Sequence, residues 1–397
     1  MNPSKGSDAG MHIGNRIFIL GAGFSKPAGL PLGNELFKEI YSRIESRKGR
    51  DSAFHSDLRY YIKYRKLCDG VDIDECDVDL EDFMSYLDIE HYLGLRGKDT
   101  VSSEGNAAQI LTKRYLAQII QERTPAADRL PDEYYQFARN LTTDDYVITF
   151  NYDIILERAL EFVGKPYRLF PHRYESIDSV SGFIGDSKDE LVISKMHGSV
   201  DWFDEGKYRN WVACWEKQGS KRLPPHPIFN DPDRYGVSPL VDGPRRQNDP
   251  LVDLSRIRRA DEFYVNEYPP ETPFILSPSH AKIVYASPLH EFWFGLGQAG
   301  GLNLGVSVIG YSLPDHDEYI RISLFELIRN YQQVEWDLSA FGTGKDYVRL
   351  VDSRKTKNEV NDYKSRYRFV DMDKTRMFFG GFGTEAVDFL FSDRRTM

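Results

Sequence analysis

The sequence predicts an α/β fold built on a doubly wound parallel sheet, and three junctions predict it. At each, an apolar run of strand length stops in residues that packing alone would not choose. The run at 16–20 enters Gly21-Ala22-Gly23-Phe24-Ser25, the run ending at 148 enters Thr149-Phe150-Asn151-Tyr152-Asp153, and the run at 191–195 enters Met196-His197-Gly198-Ser199. Strands alternating with helices imply a parallel sheet, and the carboxyl ends of such strands are where ligands bind.

Taken in order, residues 1–15 are polar and are expected to form a flexible lead-in. The first strand, the glycine loop and a helix near 34–47 form a strand, loop and helix unit, with Pro31 and Gly33 suiting a tight turn into the helix. From 51 to 141 the pattern is helical, with Phe83, Tyr86, Leu87 and His91 on one face and Leu111, Tyr115 and Ile119 on another. This reads as an inserted helical module. A strand at 146–149 and a helix at 154–162 follow, which places Asn151 and Asp153 at a helix start. Residues 200–275, rich in Trp, Pro, Asp and Arg and free of repeats, read as an irregular second insertion. Strand and helix then alternate again: 274–277, 289–298, 304–309, 316–331 and 347–351. The resulting organisation is one Rossmann-like domain over 16–397 carrying both insertions.

The length of 397 residues is ample for a buried core, and a 41% hydrophobic share with a net charge of −10 fits an ordinary globular chain. That charge does not mark nucleic acid as a ligand of the whole surface. No apolar stretch approaches the ~20 residues that cross a bilayer, and the N-terminus lacks a signal-peptide core, so a cytoplasmic protein that does not engage a membrane is expected. Cys68, Cys76 and Cys214 match no disulfide framework or paired CxxC zinc site, and read as reduced and structural.

Gly21 and Gly23 lack a Cβ, so the backbone there turns sharply and approaches a pyrophosphate, whose charge the following N–H groups and the helix dipole attract. Ser25 adds a hydroxyl donor. A strand followed by Gly-x-Gly also occurs where only a tight turn is needed. The dehydrogenase fingerprint does not fit, because Lys26 replaces its third glycine and no strand ending in Asp or Glu arrives ~20 residues later. Asn151 offers a donor and an acceptor without titrating, so it suits ribose hydroxyls or an attacking water, or else caps the next helix, as Asp153 also does. His197, between a strand and Gly198, is a candidate base near neutral pH or a core imidazole bonded to backbone. Asp352, ending the last strand, would hold the adenine ribose; a turn of the kind Asp and Ser form explains it equally well.

The ordered segments GAGFS, TFNYD and HGS, with Gly310-Tyr311-Ser312 behind an apolar run, resemble the sirtuin-like family in patches from 16 to about 352. By that resemblance Asn151 and His197 are catalytic, and Gly21, Ala22, Gly23, Phe24, Ser25, Asp153, Gly310, Tyr311 and Ser312 surround NAD as substrate. Protein-deacylating sirtuins carry four zinc cysteines after the HG motif, whereas Cys214 stands alone here, so no metal is expected. The chain looks more like the prokaryotic branch that hydrolyses NAD to nicotinamide and ADP-ribose, often against phage, and Glu81 to Leu87 look like that branch's helical-module motif. An unregulated NAD hydrolase would poison its own cell. Gating by homo-oligomerisation or by a separately encoded HerA-like hexameric ATPase is therefore expected. Two other readings stay open: a non-catalytic NAD or ADP-ribose sensor controlling a partner ATPase or nuclease, and a protein deacylase, which the missing cysteines disfavour.

Two charge clusters receive plainer readings. The acidic stretch 69–82 lacks the EF-hand glycine and glutamate and reads as a solvated loop entering a helix with acidic first-turn residues. Arg245, Arg246, Arg256, Arg258 and Arg259 are balanced by Asp249, Asp253, Asp261 and Glu262 and read as a mixed-charge face.

Overall fold

Runs with no polar face become strands covered on both sides. The computed structural model describes residues 16–31, 33–46, 52–96, 105–169, 176–177, 184–185, 190–219, 222–240, 251–265, 269–282, 289–293, 296–299, 303–314, 317–334, 336–337 and 344–392. The lead-in 1–15, and Arg245 and Arg246, lie outside them. The strands are β1 (Arg16–Leu20), β2 (Tyr146–Thr149), β3 (Tyr167–Arg168), β4 (Ser176–Ile177), β5 (Ile184–Gly185), β6 (Leu191–Lys195), β7 (Trp202–Asp204), β8 (Val237–Pro239), β9 (Leu254–Ile257), β10 (Gly305–Ile309), β11 (Val348–Val351) and β12 (Thr375–Phe378).

Seven of them form one sheet in the order β12-β11-β10-β1-β2-β6-β3, and every pairing in it is parallel. The chain builds outward from β1 through β2 on one side, then returns to build through β10 on the other. The order therefore reverses between β1 and β10, which is the switch point at which open sheets bind ligands. The doubly wound parallel α/β fold is as predicted. The edge strand β12 was not, and its half-buried residues explain why it gave no continuous apolar run.

The helical stretch after β1 comprises Gly33–Glu45, Ser52–Tyr64, Leu80–Tyr92, Ala107–Arg123 and Asp132–Asn140. Asp79 caps Leu80–Tyr92 by accepting from the Asp82 amide, so the acidic run does end as a helix start. Asn106 and Gln109 close a capping box on Ala107–Arg123. Phe83 lies between the rings of Phe37, Phe54 and Tyr61, with centroids at 6.0, 6.0 and 5.4 Å, and this cluster anchors the module.

Residues 200–275 are less irregular than predicted, for β7, β9 and β8 form an antiparallel sheet there. Strands of three or four residues leave too short a period to read. The predicted strand at 274–277 is instead a loop between Pro273 and Pro278, joined to the turn after β6 by a single bridge of Ile275 to Gly198. Cys68, Cys76 and Cys214 are free and exposed. Arg256 is ion-paired to Asp201 at 2.7 Å and donates to the Tyr167 hydroxyl at 2.7 Å, which makes it part of a charge network with no free cation to offer.

Candidate active site at the switch point

The turns after β1 and β10 pack backbone to backbone. Gly310 has φ of 65°, and a Cβ there would lie 2.3 Å from the Gly23 carbonyl carbon. The Gly23 amide donates to the Gly310 carbonyl at 2.8 Å, and that of Gly21 to Ile309 at 2.9 Å. These two amides are thus used inside the protein. Gly23 serves this close approach and does not line the cavity.

A cavity of about 360 Å³ opens above this floor, lined by Gly21, Ala22, Ser25, Gly310, Tyr311 and Ser312 from the two turns. Phe150, Asn151, Tyr152, Asp153 and His197 line it from the ends of β2 and β6, and Leu80, Glu81, Leu116 and Ile120 from the helical module. The size suits a small-molecule site. Besides Gly23, two expected contacts fall outside. Phe24 packs in the core on Phe382, Tyr134 and Phe137 at 4.5 to 5.5 Å, and Asp352 turns its carboxylate to the Ser353 amide and Arg354.

Asn151 donates through Nδ2 to the Gly21 carbonyl at 2.9 Å and to Ser25 Oγ at 3.0 Å. Ser25 in turn donates its one proton to Asp153 Oδ2 at 2.7 Å, so the hydroxyl expected to reach a phosphate is already committed. Asp153 Oδ1 accepts from the Ile155 amide at 3.0 Å at the start of helix Ile155–Val163. The N-cap position is Ile154, whose side chain makes no capping bond, so Asp153 serves the first helical amide from one residue further out and Asn151 is left to the cavity. Beneath them the buried Lys195 donates to the Asp153 carbonyl and lies 2.8 Å from Glu157. Burial pushes the Glu157 carboxyl up while Lys195 draws it back.

Gly198, at φ of 80°, lets the chain turn tightly under His197; a Cβ there would meet the Phe274 carbonyl at 2.2 Å. The imidazole is 4% exposed. Its Nδ1 faces the Phe150 carbonyl at 3.1 Å, and because a carbonyl only accepts, Nδ1 carries the proton. Nε2 is thus the acceptor, and Tyr319 donates to it at 2.6 Å. Burial above all, then the Lys282 charge, holds His197 well below its ordinary 6.5, with the Phe150 bond opposing. The ring is neutral at neutral pH.

Three groups of this site were missed from sequence. Lys282 and Asp317 form a buried pair at 3.2 Å, Asp317 also accepts from the Tyr311 hydroxyl at 2.7 Å, and Tyr319 reaches His197 from helix Glu318–Gln333. They come from loops and a helix start with no local pattern. Phe150 and Tyr152 were legible only as neighbours of Asn151.

The sheet and crevice define a doubly wound α/β fold with a cavity at its switch point. No protein-family model matches the chain, and no curated protein does. Among solved structures the chain is similar to a sirtuin studied for the structural basis of its substrate affinity, at 12% identity over 95% of this chain and 92% of that one, with a TM-score of 0.31. It is also similar to Sir2Tm bound to a propionylated peptide, at 11% identity over 94% and 90%, with a TM-score of 0.28. Neither likeness is strong enough to place the chain in a family. Among the described residues no helix is long and apolar enough to cross a membrane.

Proposed function

We propose that the chain binds NAD in this crevice and hydrolyses its nicotinamide–ribose bond. The observation that carries the reading is that a neutral His197 and Asn151, at the ends of neighbouring strands, open on one cavity floored by the two glycine turns. Nicotinamide is bonded to ribose as a pyridinium and leaves as a neutral amide, so no general acid is required. Water attacks the ribose carbon, the carbon–nitrogen bond breaks toward nicotinamide, and one proton is released. His197 Nε2 accepts that proton, directly or through a ribose hydroxyl. Asn151, held by its Nδ2, leaves its carbonyl oxygen to orient the water or ribose. Phe150, Leu116 and Ile120 supply an apolar wall for the departing ring.

The wider role is proposed on the sequence resemblance: NAD depletion in defence against phage, controlled by self-association or by a HerA-like hexameric ATPase. Measuring nicotinamide release from the purified chain, alone and with such a partner, tests both. Release that His197→Ala abolishes is expected. Stable NAD binding without release under either condition would instead support the sensing reading.

A further inference from the structure

The first turn of helix Glu318–Gln333 lies against the base. Tyr319 packs on Trp293 with ring centroids 5.4 Å apart and donates to His197 Nε2 at 2.6 Å. A neutral imidazole with Nδ1 protonated has one lone pair in the ring plane, on Nε2, and here it is taken. Burial, then the Asp317 charge, pushes the Tyr319 phenol far above its ordinary value, so it keeps its proton and remains the donor. The same turn is fastened twice more, through Asp317 to the Tyr311 hydroxyl at 2.7 Å and to Lys282 at 3.2 Å. Orientation of the imidazole does not need Tyr319, because the Phe150 carbonyl already fixes the ring from its other nitrogen.

We propose that Tyr319 masks the base: it occupies the nitrogen that must take the proton, and its release from His197 is the step on which activation acts. The proposal rests on the hydrolase reading. Tyr319→Phe loses only a hydroxyl and keeps the ring on Trp293. Removing one buried hydrogen bond from the path of the substrate predicts nicotinamide release about fivefold faster than wild type at saturating NAD, with no partner added. Nitrogen-15 NMR of the His197 ring follows the contact without turnover, and should show Nε2 bonded in the wild type, free in the variant, and Nδ1 unchanged.

If the wild type cleaves NAD and Tyr319→Phe is no faster, the masking is wrong and the hydrolase reading stands. If both proteins bind NAD by calorimetry and neither releases nicotinamide, both fall together. A gain that persists in Tyr319→Phe/His197→Ala also overturns the masking, since it would not run through this imidazole.

Discussion

Replacing Lys195 by Met keeps most of the aliphatic volume in the core and removes the charge. Lys195 is fully buried, and its partner Glu157 is 3% exposed. Two losses follow. Glu157 becomes a buried carboxylate without its near cation, since Arg256 is already engaged by Asp201. Its escape is protonation, and at pH 7 protonating a carboxyl that titrates at 4.5 in water costs up to about 3.4 kcal/mol. The Asp153 carbonyl loses its donor, worth about 1 kcal/mol. The expected destabilisation is therefore at most about 4 kcal/mol at pH 7, because burial already holds wild-type Glu157 above 4.5 and part of that cost is present before the substitution. Relative to wild type the loss should shrink as pH falls. Folded Lys195→Met holds a proton that the unfolded chain binds only near 4.5, so it recovers up to about 1.4 kcal/mol per pH unit between pH 7 and 5. Urea unfolding at pH 7, 6 and 5 reads both effects, and Lys195→Met/Glu157→Leu should regain most of the stability. A loss below about 1 kcal/mol at pH 7, or one that does not change with pH, refutes the argument.

Gly310→Ala combines a positive φ with a Cβ 2.3 Å from backbone, so a loss of at least about 2 kcal/mol is expected in thermal unfolding, together with weakened NAD binding; a variant as stable as wild type would mean the two turns can separate freely. For His197, whose neutral form persists well below 6.5, kcat/KM should stay flat as pH falls through 6.5 and drop only in more acidic solution; a midpoint at or above 6.5 contradicts the buried neutral base. Asn151→Asp places a carboxylate oxygen against the Gly21 carbonyl where Nδ2 donated, and calorimetry should show NAD affinity reduced about tenfold or more; unchanged affinity would remove Asn151 from the site.

The sequence disclosed whatever depended on neighbours in the chain. Arg16–Leu20, Leu191–Lys195 and Gly305–Ile309 are buried on both faces, so their apolar runs announced them, and the polar residues that stop the runs marked the crevice. β3, of two residues, and the short strands of 200–275 had no period to detect. The opposite wall was invisible for another reason. Lys282, Asp317 and Tyr319 acquire their roles only by facing residues more than a hundred positions away or across a loop. Ser25 shows the limit most sharply: its place in the glycine loop was legible, but the destination of its single proton was not, because Asp153 lies 128 residues on.

The floor of the crevice joins residue 21 to residue 310, with β1 paired directly to β10. A ribosome delivers those two parts far apart in time. The half bearing Asn151 and His197 has emerged when β6 and the turn behind it are made, yet one side of β1 stays uncovered until β10 arrives. A nascent chain thus carries Asn151 and His197 over an unfinished floor. On the hydrolase reading, synthesis itself withholds activity, and consumption of a metabolite shared by the whole cell cannot begin before the late strands have closed the sheet.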